Sequence, residues 1–309
     1  MGTHYALRIT HHASRITHHA SRITHHASRI THHASRITHH ASRITHHALR
    51  ITHHPPERNL KMSEKIENMK DLSREDTARL ILDMFHRIIV HHTLWFTEVR
   101  HQMGMEKALE MLKASWDKSY GIQMKRLSKF FGFEMKDGIP EPMLRMSEES
   151  LQELLKTVAA NWLANDGVWF QSVEFNHGMT DAKRCNDSCW AHFSPFEAWS
   201  VKNFLGLPEY PGIEGLKKAL NFRLYATINT QSVIDDGPDC IIFQMNECRV
   251  QSARKRKGLD DYPCKSVGVV EYPYFARSID KRITTECIGC PPDEHPEEWY
   301  CAWRFKIEE

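Results

Sequence analysis

Four cysteines near the C-terminal end have the residue type and spacing for soft-metal chemistry. Cys287 and Cys290 form a C-x-x-C in "CIGC", with Cys264 upstream and Cys301 downstream. Zinc takes four soft ligands at tetrahedral corners, and a pair on a tight turn can supply two of them. Cys264, at a predicted helix start, and Cys301, on the next predicted strand, can supply the others. Four thiolates leave no open coordination position, so this zinc would be structural. The same C-x-x-C also admits a redox reading, in which Cys287 and Cys290 exchange between dithiol and disulfide.

A second set of chemical groups lies further upstream. Asp166, Glu174 and His177 could provide acid–base catalysis. Arg249, Gln251 and Arg254 follow a predicted strand end at Cys248, and either arginine could fork onto a substrate carboxylate. Trp169, Trp190 and Tyr274 could line an apolar pocket, though such aromatic residues also serve as plain core, as do Phe193 and Trp199. Cys185, Cys189 and His192 share one helical face and could ligate a metal, but Met111 at the place matching Cys185 favours a core-facing position. No Ser–His–Asp order, glycine-rich phosphate cradle or metalloprotease motif is visible.

The elements that must position these groups begin with a duplication. Residues 72–133 can be laid without gaps on 146–207 at an offset of 74. Trp95 falls on Trp169, Gly104 on Gly178, Trp116 on Trp190 and Gly132 on Gly206. Each copy opens with a serine cap, Ser73 or Ser147, followed by apolar residues at helical period, and each is predicted to be a helical hairpin. The copies diverge where chemistry could sit: His91, His92 and Thr93 become Asn165, Asp166 and Gly167, and Met103 becomes His177. "EMKDGIPEPMLR" joins them as a turn-rich connector. Beyond, "RLYATINTQSV" and "DCIIFQMNEC" read as strands about an Asp235–Asp239 turn. "RVQSARKRKGL" and "CKSVGVVEYPYFARSI" read as helices, and "KRITTECIGC" and "WYCAWRFKI" as strands. The class is α+β, with duplicated helical hairpins at 62–145 and 146–220 and an α+β unit at 221–309 carrying the cysteine site.

The stretch 248–305, "CRVQSARKRKGLDDYPCKSVGVVEYPYFARSIDKRITTECIGCPPDEHPEEWYCAWRF", resembles a bacterial family of unknown function. That family is distantly similar to the L-2-amino-thiazoline-4-carboxylic acid hydrolases, and the likeness covers most of 146–309. The stretch also resembles the 4-vinyl-reductase domain, a small-molecule sensor module that binds zinc through Cys, Glu, Cys and Cys. That resemblance implies the same roles for Cys264, Cys287, Cys290 and Cys301, with Cys287 in the place of the glutamate. The expected function is a stand-alone small-molecule-binding protein with structural zinc. The alternatives are a hydrolase of a small cyclic C–N or C–S substrate and a thiol redox protein.

The first 61 residues follow different rules. The block RITHH recurs seven times from Arg8 to Arg50 without substitution, which preserves even positions that would face water. A translated DNA repeat upstream of an initiating Met62, with a disordered product, accounts for it. Residues 1–61 hold nine of the 41 Lys and Arg and one of the 39 Asp and Glu, so the remainder nets −6 against +2 for the whole. An acidic body without a basic stripe argues against a nucleic-acid surface, and the RKRK run, Arg254 to Lys257, reads as a solvated helix end. No apolar run approaches a membrane span and no secretory signal is visible, so a cytoplasmic location is expected. A homodimer is compatible with the chain.

Overall fold

The computed structural model describes residues 67–307, so the RITHH blocks and Met62 lie outside the described residues. The chain divides into two compact units, one ending at Val90 and the other beginning at His91. The described part of the first holds a 3-10 turn, Met69–Asp71, and the opening of helix α1, Arg74–Met103. Helix α2 spans Met105–Phe131. A short hairpin follows, β1 (Met135–Lys136) and β2 (Ile139–Pro140), then a single helical turn, α3 (Glu141–Leu144). Its two central residues, Asp137 and Gly138, have φ of 51° and 81°, the consecutive left-handed conformations that a two-residue hairpin turn requires.

Helices α4 (Glu148–His177) and α5 (Met179–Leu205) repeat the first pair, every bound lying 74 residues beyond its counterpart. Ser147 caps α4 by accepting from the Ser150 amide at 3.2 Å, and Ser73 accepts from the Asp76 amide at 3.1 Å. Gly178 ends α4 at φ 90°, where Gly104 ends α1 at 87°. The apolar alternation then changes period. Helix α6 (Gly212–Leu220) leads to strands β3 (Thr230–Asp235) and β4 (Cys240–Glu247). Next come helices α7 (Arg249–Arg256) and α8 (Lys265–Ile279), then strands β5 (Ile283–Gly289) and β6 (Cys301–Ile307).

The four long strands form one antiparallel sheet in the order β3-β4-β6-β5. Period-two alternation sends Ile241, Phe243 and Met245 of β4, with Cys301, Trp303 and Phe305 of β6, into the core. Helix α8 covers that face, packing on α5 and on β5. Phe275, Ala276 and Ile279 supply its buried stripe. The architecture is α+β, as the sequence pattern indicates. One predicted strand is corrected: Arg223–Asn229 forms successive turns, and β3 begins only at Thr230. The reason is tertiary. Arg223 and Tyr225 are drawn into the core by carboxylates on α5 and α8, so this segment cannot extend along the sheet edge.

Candidate functional site

Between α4, α5, α7, α8 and the start of β6 lies a cavity of about 380 Å3, at the lower end of the range that holds small ligands. On α4, Trp162, Asp166 and Phe170 line it at intervals of four, one helical face, with Gly167 beside them. On α5, Asn186 and Trp190 do the same. Helix α8 contributes Val267, Gly268, Glu271 and Tyr272, the i, i+1, i+4, i+5 face that looks back at α5. Tyr225, Tyr262, Met245, Cys248, Cys264 and Cys301 also line it, as do Arg249, Val250, Ala253 and Arg254 of α7 and Lys257 after it. Most of the lining is aromatic or aliphatic, and the polar groups are few.

Behind one wall lies a buried charge network. Arg223, its side chain fully buried, donates from Nε to Glu197 Oε2 at 2.9 Å. Its Nη2 lies 2.8 Å from both Glu197 Oε2 and Glu271 Oε1. Nη1 and Nη2 make no aligned hydrogen bond, so attraction there is of charge to charge, helped by the Tyr225 and Phe275 rings at 4.4 and 4.5 Å. Glu197 Oε1 also accepts from the Leu224 amide at 2.9 Å, and the Tyr225 hydroxyl donates to Glu271 Oε1. Burial pushes the Glu271 carboxyl up, an effect that Arg223 partly offsets.

A model of one family of unknown function matches the chain at residues 70–145 and again at 143–307. The chain belongs to that family, DUF6125. No curated protein and no solved structure matches it. The two DUF6125 matches each begin just before one of the paired helical stretches, and the second carries the whole cavity. Membership brings no activity with it.

The cavity gathers some of the residues singled out from the DUF6125 sequence and leaves others aside. Asp166, Trp190, Arg249, Arg254, Cys264 and Cys301 line it. Glu174 and His177 do not: Glu174 is held by Arg254 through two N–H···O contacts of 3.1 Å, and His177 is exposed. Arg254 also donates to the Asp260 carbonyl at 2.8 Å. It is therefore a buried, committed cation, which corrects the reading of RKRK as wholly solvated. Gln251 is buried and clamps the Tyr262 backbone, donating to its carbonyl and accepting from its amide, both at 2.9 Å. Its role is to position Tyr262. Trp169 is 70% exposed, because it stands two residues, roughly 200°, round the helix from Gly167. Tyr274 is likewise exposed, and its neighbour Tyr272 takes the inward place. Cys185 and Cys189 are exposed rather than core-facing, and the His192 ring meets Arg100.

The cysteines come together in a different combination from the one expected. Cys290 is hydrogen-bonded to Cys264 and Cys301, which raises its thiol, and the bond from Cys290 lowers Cys301. Cys248, absent from the sequence-based set, lines the cavity, and burial, with Cys264 and Cys301 nearby, pushes it up to about 12. Cys287 lies on β5 opposite Trp303, where its charged neighbours are Lys265 and Asp293 ahead of Cys301. Among the described residues no three His, Cys, Asp or Glu side chains are grouped so as to hold a metal ion.

Asp166 is the one carboxylate of the cavity wall left without a partner: among the described residues it makes no hydrogen bond or ion pair. Burial, then the nearby charge of Glu271, pushes it up to about 6. A raised carboxyl pKa stabilises the fold only while the group is protonated. That part of the stability is present below about pH 4 and is lost as pH rises through 6. Asp166→Asn is therefore expected to stabilise the protein by about 2–3 kcal/mol at pH 8 and by little at pH 4. Chemical denaturation of both proteins at the two pH values checks this, and an equal difference at both would show that ionisation of Asp166 carries no cost.

Proposed function

We propose that this chain binds a small molecule in the open cavity lined by α4, α5, α7 and α8. The supporting observation is the cavity itself: about 380 Å3, walled by Trp162, Phe170, Trp190 and Tyr262, with an unpartnered carboxylate in the wall. The hydrolase reading, with its likeness to the thiazoline-carboxylate hydrolases, has less support, because Asp166 alone of its three catalytic residues reaches the cavity. A structural zinc belongs to the proposal as its second part. It rests on the spacing of Cys264, Cys287, Cys290 and Cys301 in the sequence and on the soft donor that each supplies, not on an assembled ligand set. Their soft donor chemistry suits zinc better than any harder ion.

Gly167 supplies the test. It lines the cavity, and a Cβ built there meets nothing within 4 Å. Gly167→Leu should therefore start into open space at its Cβ, occupy part of the cavity and gain up to about 1 kcal/mol of helix propensity. Calorimetric titration with 2-phenylethanol, phenethylamine and 3-phenylpropionate is expected to show binding of at least one of them to the native protein. The variant is expected to melt no lower and to bind that probe about tenfold more weakly. Binding of none of the three, or equal binding to both proteins, would overturn the reading. Elemental analysis of the same reduced preparation is expected to find about one zinc per chain; a metal-free, fully stable protein would remove zinc from the proposal.

A further inference from the structure

Charge is distributed unevenly around the cavity. Its cationic lining residues, Arg249, Arg254 and Lys257, all come from α7 or the residue after it. Arg254 is committed to Glu174 and the Asp260 carbonyl, Lys257 donates to Gln171 at 3.1 Å, and Arg249 and Lys257 are exposed. The acidic lining residues are Asp166 of α4 and Glu271 of α8. One guanidinium, Arg223, serves two carboxylates, Glu197 and Glu271, before Asp166 is counted. The Tyr225 hydroxyl is already spent on Glu271, and the Asn186 amide donates to the Tyr262 hydroxyl at 2.8 Å. No donor of the described residues reaches Asp166. A half-buried carboxylate with no donor, set among the rings of Trp162, Trp190 and Phe170, is the arrangement that recognises an organic cation: the carboxylate meets the charge and the ring faces meet the adjoining C–H groups.

Resting on the small-molecule reading above, we infer that the ligand is a small organic cation, an amine with an aromatic or alkyl body, whose ammonium pairs with Asp166 while the body lies against the wall that Trp162 and Trp190 form, their rings packed edge to face at 6.0 Å. Desolvating an ammonium without a partner is costly, and so is leaving a carboxylate alone in the same cavity; each removes the other's penalty. An anionic ligand meets the reverse situation at Asp166, where the neighbouring charge is that of Glu271. The raised Asp166 carboxyl agrees with a site built for a countercharge that it does not itself contain.

The three probes already named separate this inference from the reading beneath it, because they share a ring and differ in charge. Phenethylamine is expected to bind native protein at least tenfold more tightly than 2-phenylethanol, and 3-phenylpropionate more weakly than either. In Asp166→Asn the amine is expected to lose at least tenfold while 2-phenylethanol changes by less than threefold, which shows that the cavity is intact. Should 2-phenylethanol or 3-phenylpropionate bind best, or should Asp166→Asn keep its preference for the amine, the cation assignment falls and the binding function stands. Should none of the three bind, both fall together.

Discussion

Replacing Arg223 with methionine is expected to cost about 3–5 kcal/mol of stability, a large part of the roughly 5–15 kcal/mol that a domain possesses. The loss is not one of packing volume, since methionine fills much of the same space. It follows from what is left behind: Glu197 and Glu271, 4% and 7% exposed, would face each other in the core with no cation between them. In the native protein burial works against the Arg223 charge, and Glu197, Tyr225 and Glu271 together outweigh it, so the guanidinium stays charged. Once it is gone the two carboxylates must take up protons, which ties the folded state to low pH. Urea unfolding of Arg223→Met is accordingly expected to recover stability as pH falls from 8 to 5. Adding Glu197→Gln and Glu271→Gln is expected to recover part of it at pH 8. A loss of equal size at both pH values would place the effect in shape instead of charge.

The same network shows where sequence reading stops. The paired helices were legible because their signals are local: a serine cap, a glycine at positive φ and an apolar stripe, all repeated at an offset of 74. Asp166 was legible too, because it stands where the first copy has His92, and a polar substitution within an otherwise shared packing scheme is informative. The Arg223–Glu197–Glu271–Tyr225 cluster was not. Its members lie 26 and 46 residues apart along the chain, and "RLYATIN" alternates well enough to pass for a strand. The one available signal was Glu271 itself, a lone acid inside the apolar run "SVGVVEYPYFARSI", where a helix facing the sheet should carry none. Trp169 misled for the converse reason, since aromatic character gives no angular position and one residue along the helix turns a side chain by roughly 100°. Among the cysteines, the C-x-x-C drew attention to Cys287, whereas the fold brings Cys248 to the cavity from the end of β4.

Trp303→Ala is expected to cost about 3–5 kcal/mol, and Gly268→Ala about 1–3 kcal/mol, for opposite reasons at one contact. Trp303 is 1% exposed and stacks on Tyr272 with ring centroids 4.7 Å apart. Gly268 is a helical glycine whose absent Cβ would lie 2.4 Å from Trp303 Cζ2 and 2.8 Å from Cη2. The glycine, unfavourable in a helix by roughly 1 kcal/mol, lets α8 settle onto β6 and so brings Glu271 and Tyr272 to the cavity wall. Removing the indole creates a void, whereas adding a methyl group to α8 overfills the same place. In the Trp303→Ala background, then, Gly268→Ala is expected to be neutral or stabilising, giving a coupling of about 1–3 kcal/mol in a double-mutant cycle measured by urea unfolding. If the two costs simply add, the close approach of α8 to Trp303 does not limit how deeply that helix sits, and Gly268 is present for some other reason.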